Sequence, residues 1–154
     1  MIENVNENDQ GTVRLYEGFF LINPVKIASN IGAATALVQE LLDRAGAQTL
    51  SIAKWDERKL AYDIHGVKRG LFMLAYFKVD GGKIVGIERD VTLSENVMRC
   101  LILRADHVGE TELEIARQEA EKTRHAAKLQ GDAPATAAPT THNSHEPAPV
   151  HANA

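Results

Sequence analysis

The pattern of apolar and polar positions along the chain is organised around Trp55 to Val79, the stretch WDERKLAYDIHGVKRGLFMLAYFKV. A first run closes on Leu60-Ala61-Tyr62-Asp63-Ile64, a basic bend containing glycine occupies His65 to Gly70, and a second run extends from Leu71 to Val79. That is the pattern of a β-hairpin. Successive strand side chains point to opposite sides. The second run therefore puts Leu71, Met73, Ala75, Phe77 and Val79 on one face and Phe72, Leu74, Tyr76 and Lys78 on the other. Both faces are largely apolar, which predicts an interior strand with material packed on each side.

The flanking segments complete a fold pattern. Val13 to Ile22 is aromatic and aliphatic and stops at Asn23-Pro24, a strand followed by its turn. From Ile27 the period lengthens: Ile27, Ile31, Ala34, Val38, Leu41, Leu42 and Ala45 line one side of a helix, with Gly46 at its C-terminus. Gln48 to Asp56 returns to strand alternation and leads into the hairpin. Asp80-Gly81-Gly82 then breaks the chain and opens a short helix carrying Ile84, Ile87 and Val91, which ends near Leu93-Ser94. Asn96 to Arg104 is the last strand.

The order βαββαβ predicts an α+β, ferredoxin-like fold: a four-stranded antiparallel sheet with two helices on one face. The opposite face is then left for a partner or for the chain's own extension. Beyond Asp106 the periodicity weakens. Gly109 to Leu129 has the composition of a solvated helix, expected to project into solvent or to form only in part. From Gly131 the chain is rich in proline, alanine, threonine and histidine without periodicity, and disorder is expected. Four segments result: a polar extension over 1–12, the domain over 13–105, a polar helical extension over 106–130 and a low-complexity tail over 131–154.

Length and composition, 154 residues and 44% hydrophobic, suit one domain with a true core. The net charge of −4 hides an uneven distribution. Residues 13–105 carry 13 basic and 10 acidic groups, whereas 1–12 carry 3 acidic and no basic ones and 106–154 carry 8 acidic and 4 basic ones. The domain is mildly basic, which leaves a nucleic-acid partner open. The single cysteine, Cys100, excludes an internal disulfide and sits in an apolar strand that predicts an unreactive thiol. Residues 1–12 hold no apolar run of a leader, and no stretch approaches the ~18 apolar residues of a membrane span. A soluble, cytoplasmic protein is expected.

No constellation for catalysis stands out. Gly81-Gly82-Lys83 lacks the spacing of a phosphate loop. Asp56, Glu57 and Asp63 read as locally paired charges of a hairpin strand. The tail histidines His142, His145 and His151 have no metal-ligand spacing. Neither cofactor nor metal is predicted.

The basic residues carry more. Lys54, Arg58, Lys59, Lys68 and Arg69 cluster in and beside the hairpin, and Arg14, Arg99 and Arg104 fall on the two neighbouring strands. Cations on a sheet beside aromatics suggest RNA. Arg69 to Tyr76 echoes the third-strand motif of the RNA recognition module, but Leu71 and Met73 stand where that motif needs stacking rings. An aliphatic surface suits a protein better. The candidate protein-partner surface is Phe72, Leu74 and Tyr76 together with Trp55 and Tyr62.

Arg14-Leu15-Tyr16-Glu17, Arg58-Lys59-Leu60-Ala61-Tyr62-Asp63-Ile64, Gly70 with the strand after it, and Asn96-Val97-Met98-Arg99-Cys100-Leu101 follow one another in an order and spacing that resemble the bacterial small-subunit ribosomal protein six family. The similarity spans about 13–105. It implies a non-enzymatic protein that binds the central domain of small-subunit ribosomal RNA on the platform, together with ribosomal protein eighteen. Arg14, Arg58, Lys59 and Arg99 match positions where that family is often basic, and become the RNA candidates. Lys68, Arg69 and Arg104 join them on charge and placement. Asp63, where many members have proline, and Met98, where some are basic, depart from the pattern. The competing reading is a ligand-sensing ferredoxin-like domain that dimerises through its free sheet face and binds a metabolite near Asp80 to Lys83.

Overall fold

A computed structural model describes residues 11–131. Its first strand, β1 (Val13–Ile22), is followed by helix α1 (Ile31–Arg44), strands β2 (Gln48–Ile64) and β3 (Val67–Asp80), helix α2 (Ile84–Leu93), strand β4 (Val97–Arg104) and helix α3 (Glu110–Gly131). The four strands form one antiparallel sheet in the order β2-β3-β1-β4, so β3 is an interior strand, as its two apolar faces require. The arrangement is ferredoxin-like.

The core lies between the sheet and the first two helices. Tyr16, Phe20 and Ile22 of β1 and Leu71, Met73, Ala75, Phe77 and Val79 of β3 meet Ala34, Val38, Leu41 and Leu42 of α1 and Ile87 and Val91 of α2. The RNA-recognition comparison fails for a structural reason as well as a chemical one: Leu71 and Met73 face this core and are fully buried.

Three boundaries differ from the pattern-based ones. The hairpin bend is only His65-Gly66, with φ of 49° and 78°, and β3 begins at Val67. Two consecutive positive φ values are what a two-residue turn of the primed type demands, so Val67 to Gly70 is strand. Polar side chains disguised it as a bend. Gln48 to Asp56 and Leu60 to Ile64 are likewise one 17-residue strand, with pairing shifts between Lys54 and Asp56 and between Lys59 and Ile64. Finally, α1 begins at Ile31 instead of Ile27. Positive φ at Ala28 and Ser29 keeps the preceding residues out of the helix, and Asn30 caps it by accepting from the Ala33 N–H at 3.0 Å.

The largest correction concerns α3. It does not project into solvent; it packs along edge strand β2 and reaches α1. Leu113, Ala120 and Thr123 are buried there. The Lys54 N–H of the strand edge donates to Thr123 Oγ1 at 2.9 Å, and the Ile31 N–H donates to Gln130 Oε1 at 3.1 Å. One bond occupies an edge donor of the sheet and the other a donor at the start of α1, both of which secondary structure leaves free. The expected tail lies outside the described residues, as do nearly all of the N-terminal extension and His142, His145 and His151.

Candidate protein and nucleic-acid interface

The strand register decides which side chains share the open face. Asp56 pairs with Phe72, Phe72 with Leu21 and Leu21 with Arg99; one pair further down, Leu74 stands opposite Phe19 and Phe19 opposite Leu101. Alternation then brings Phe19, Leu21, Phe72, Leu74 and Leu101 onto the face away from α1 and α2. Trp55 joins them at the pairing shift of β2. Its ring meets Phe19 edge-on at 4.9 Å and Phe72 at 6.3 Å, favourable geometry for aromatic pairs. It is still 55% exposed. The Arg58 guanidinium lies 5.9 Å from the Trp55 ring centre and 5.4 Å from that of Phe72, and its Nε forms an ion pair with Asp56 at 3.0 Å. A groove of about 400 Å³ follows, lined by Phe19, Leu21, Trp55, Phe72, Arg99 and Leu101.

Of the five predicted partner-surface residues, Phe72 and Trp55 lie at the centre of this patch. Leu74 and Tyr76 share the face but border α3, across a second groove of about 380 Å³. Tyr62 stands apart, 63% exposed toward the hairpin turn and lining neither groove. Phe19, Leu21 and Leu101 escaped the sequence reading. The signal for Phe19 and Leu21 was present in β1, whose residues from Phe19 onward are apolar on both faces just as those of β3 are, and Leu101 of β4 follows only from its register opposite Phe19.

The Tyr76 hydroxyl donates to Glu17 Oε2 at 3.1 Å. Burial first, then the Glu17 carboxylate with its hydrogen bond and the more distant Glu112, push the Tyr76 pKa up to about 12. Partial burial, with Glu88 nearby, also raises the pKa of the Cys100 thiol, which suits the unreactive role read from the sequence.

The seven basic candidates fall into two groups. Arg58 pairs with Gly70 and Lys59 with Arg69, next to Lys68 in the hairpin, and Arg99 lies one strand beyond β1 at the level of Phe72. Arg14, opposite Val79, and Arg104, opposite Tyr16, belong to the other end of the sheet. Their farthest members, Arg58 and Arg14, stand nine residue steps or about 30 Å apart along the sheet, and their nearest, Arg99 and Arg104, five steps or about 17 Å apart on β4. Among the described residues, Lys59, Lys68, Arg69 and Arg99 have no carboxylate partner, whereas Arg104 is paired with Asp106. The structure therefore brings Arg58, Lys59, Lys68, Arg69 and Arg99 to one end and leaves Arg14 and Arg104 out.

The remaining polar groups are taken up locally. Glu57 bonds Lys54 at 3.2 Å, and the Gly82 N–H that a phosphate would need already donates to Asp80 Oδ1 at 2.8 Å. No helix among the described residues is long and apolar enough to cross a membrane.

Fold and site define a ferredoxin-like protein whose chemistry is that of surfaces, an aromatic patch beside a cluster of cations. The model of the family described as ribosomal protein S6 matches residues 15–104. Small ribosomal subunit protein bS6 of Fusobacterium nucleatum is 35% identical over 94 residues, which make up 61% of this chain and all of that protein. Its counterpart from Campylobacter lari is 33% identical over 98 residues, 64% of this chain and 79% of the relative. The crystal structure of 30S ribosomal protein S6 from Thermotoga maritima superposes with a TM-score of 0.51 at 23% identity, over 75% of this chain and 98% of that one, a likeness of fold. The chain belongs to the ribosomal protein S6 family, structural and non-enzymatic proteins of the small ribosomal subunit.

Proposed function

We propose that this protein binds small-subunit ribosomal RNA jointly with ribosomal protein eighteen, on the platform of the small subunit in the cytoplasm. The observation that carries the reading is the adjacency of two surfaces of different chemistry. The patch of Phe19, Trp55, Phe72 and Leu101 suits a protein, since an aromatic anchor rimmed by arginine is what protein interfaces concentrate. At the same end of the sheet Lys68 shares the open face, while Lys59 and Arg69, paired with each other, point to the other side of the hairpin; such cations suit phosphates, where they supply affinity without reading sequence. Arg58 and Arg99 flank the patch on either side and can serve both partners.

One bound complex would then share protein and RNA, each contact adding to the other. The test is binding to a central-domain fragment of the small-subunit RNA, with and without ribosomal protein eighteen, across a salt series. Affinity that rises with the second protein and falls steeply with salt supports the reading. Binding indifferent to both overturns it.

A further inference from the structure

Helix α3 lies outside the family match, and the whole of the Fusobacterium relative is accounted for by 94 residues. The helix is thus outside the segment that defines the family match, although the Thermotoga structure, superposed over 75% of this chain, extends beyond that segment. Its inner stripe, Leu113, Ala116, Ala120, Thr123 and Ala127, turns toward the sheet edge and α1. Ile115 lies off that stripe and is 55% exposed on a helix whose other outward positions near it are charged or polar. It borders the groove of about 380 Å³ whose sheet side is Ala53, Trp55, Leu74 and Tyr76. Trp55 also borders the groove running to Leu101, so one apolar tract crosses the sheet from Ile115 to β4 with Trp55 as its ridge. The two ends differ in charge: Glu112 and Glu119 rim the α3 end, Arg58 and Arg99 the other.

We propose that α3 forms one wall of the protein-docking surface. In that arrangement an aliphatic side chain of the docking protein lies between Ile115 and Trp55, while a neighbouring lysine or arginine meets Glu112 or Glu119. The carboxylates choose a basic protein over an acidic one, and they repel RNA phosphate from this end of the tract. This rests on the sheet-face reading above and adds to it a segment that lies outside the matched residues 15–104.

The full-length chain is the material for the test, with affinity for purified ribosomal protein eighteen measured by titration calorimetry in the presence of the RNA fragment. Ile115→Asp is expected to weaken binding at least about tenfold, as Trp55→Ala does. Ile115→Val and Leu129→Asp, the latter at an exposed α3 position away from the groove, are expected to stay within about twofold. Hydrogen exchange of the Lys54 amide reports whether α3 stays docked in each variant. Weakening by Trp55→Ala alone overturns the role of α3 and leaves the sheet-face reading standing. If neither variant weakens binding, the sheet-face reading itself falls and this inference falls with it. A loss of RNA affinity in Ile115→Asp without the second protein would assign the groove to RNA and also overturn the proposal.

Discussion

The two faces of β3 are nearly matched in composition and opposite in fate. Leu71, Met73, Ala75, Phe77 and Val79 are at most 3% exposed under α1 and α2, whereas Phe72, Leu74 and Tyr76 on the same strand are half-buried. One face is closed by the fold's own helices, and the other is closed only at its β2 side, by α3. Apolar character alone therefore does not distinguish stability from recognition. What distinguishes them is whether the same chain supplies the covering layer, and substitutions on the two faces should separate accordingly.

The largest effect is expected on the closed face. Phe77→Ala leaves a cavity among fully buried neighbours and should cost about 3–5 kcal/mol in denaturant-induced unfolding. Phe72→Ala, one strand face away, should cost about 1 kcal/mol because its ring is partly exposed already. Equal losses at the two positions would break the comparison. Binding should show the reverse order, with Trp55→Ala lowering affinity for the protein partner at least about tenfold and barely moving unfolding.

The two ends of the sheet offer a second, smaller contrast. Neutralising Lys59, Lys68 and Arg69 together to glutamine should reduce the slope of log affinity for RNA against log salt by about two to three, close to one per phosphate lost. Neutralising Arg14 and Arg104 should leave the slope nearly unchanged, since they lie at the far end and Arg104 is paired with Asp106. A salt series on the two variants settles which end meets RNA.

Much of this was legible because alternation and 3.6-residue periods report burial directly. The strand order, the interior place of β3 and the core positions of α1 follow from it. The hairpin was misread where both sides of the ribbon are wet: Lys68 and Arg69 are exposed, so hydrophilicity imitated a turn. Ile27 imitated a helical position because spacing does not register the positive φ of Ala28 and Ser29. Docking of α3 was hidden by its small side chains. Leu113, Ala116, Ala120, Thr123 and Ala127 recur at alternating spacings of three and four, a true stripe, yet alanine contributes little to hydrophobicity while permitting close approach. In the site, Phe72 is legible from the two apolar faces of β3 and Trp55 from the alternation of β2; Phe19 and Leu21 carry the same two-sided signal in β1, and Leu101 joins them only through its register opposite Phe19.

That stripe gives the next prediction. Thr123→Val keeps the shape of the side chain but removes the acceptor for the Lys54 N–H at the sheet edge. About 1 kcal/mol of stability should be lost, and the Lys54 amide should exchange faster than its neighbours in β2. Unchanged exchange would mean that packing of Leu113 and Ala120, and not the edge hydrogen bond, holds the helix.

The smallest effect sharpens the open face itself. Tyr76 is held neutral by burial and by Glu17, with a folded pKa of about 12 against an ordinary value of 10.0. Its folded-state value is raised, so the neutral phenol's contribution is complete below the unfolded pKa. It is lost as pH climbs from about 10 through about 12, because the unfolded chain releases the proton first. Stability at neutral pH should not depend on this group's ionisation. Glu17→Gln removes the carboxylate and leaves burial, so the tyrosinate absorbance of Tyr76 should titrate at lower pH than in the parent protein while staying above the ordinary range. A midpoint that does not move would assign the whole displacement to burial beneath α3. A midpoint falling to the ordinary value would assign it to Glu17, and Tyr76 would then be as open as Phe72.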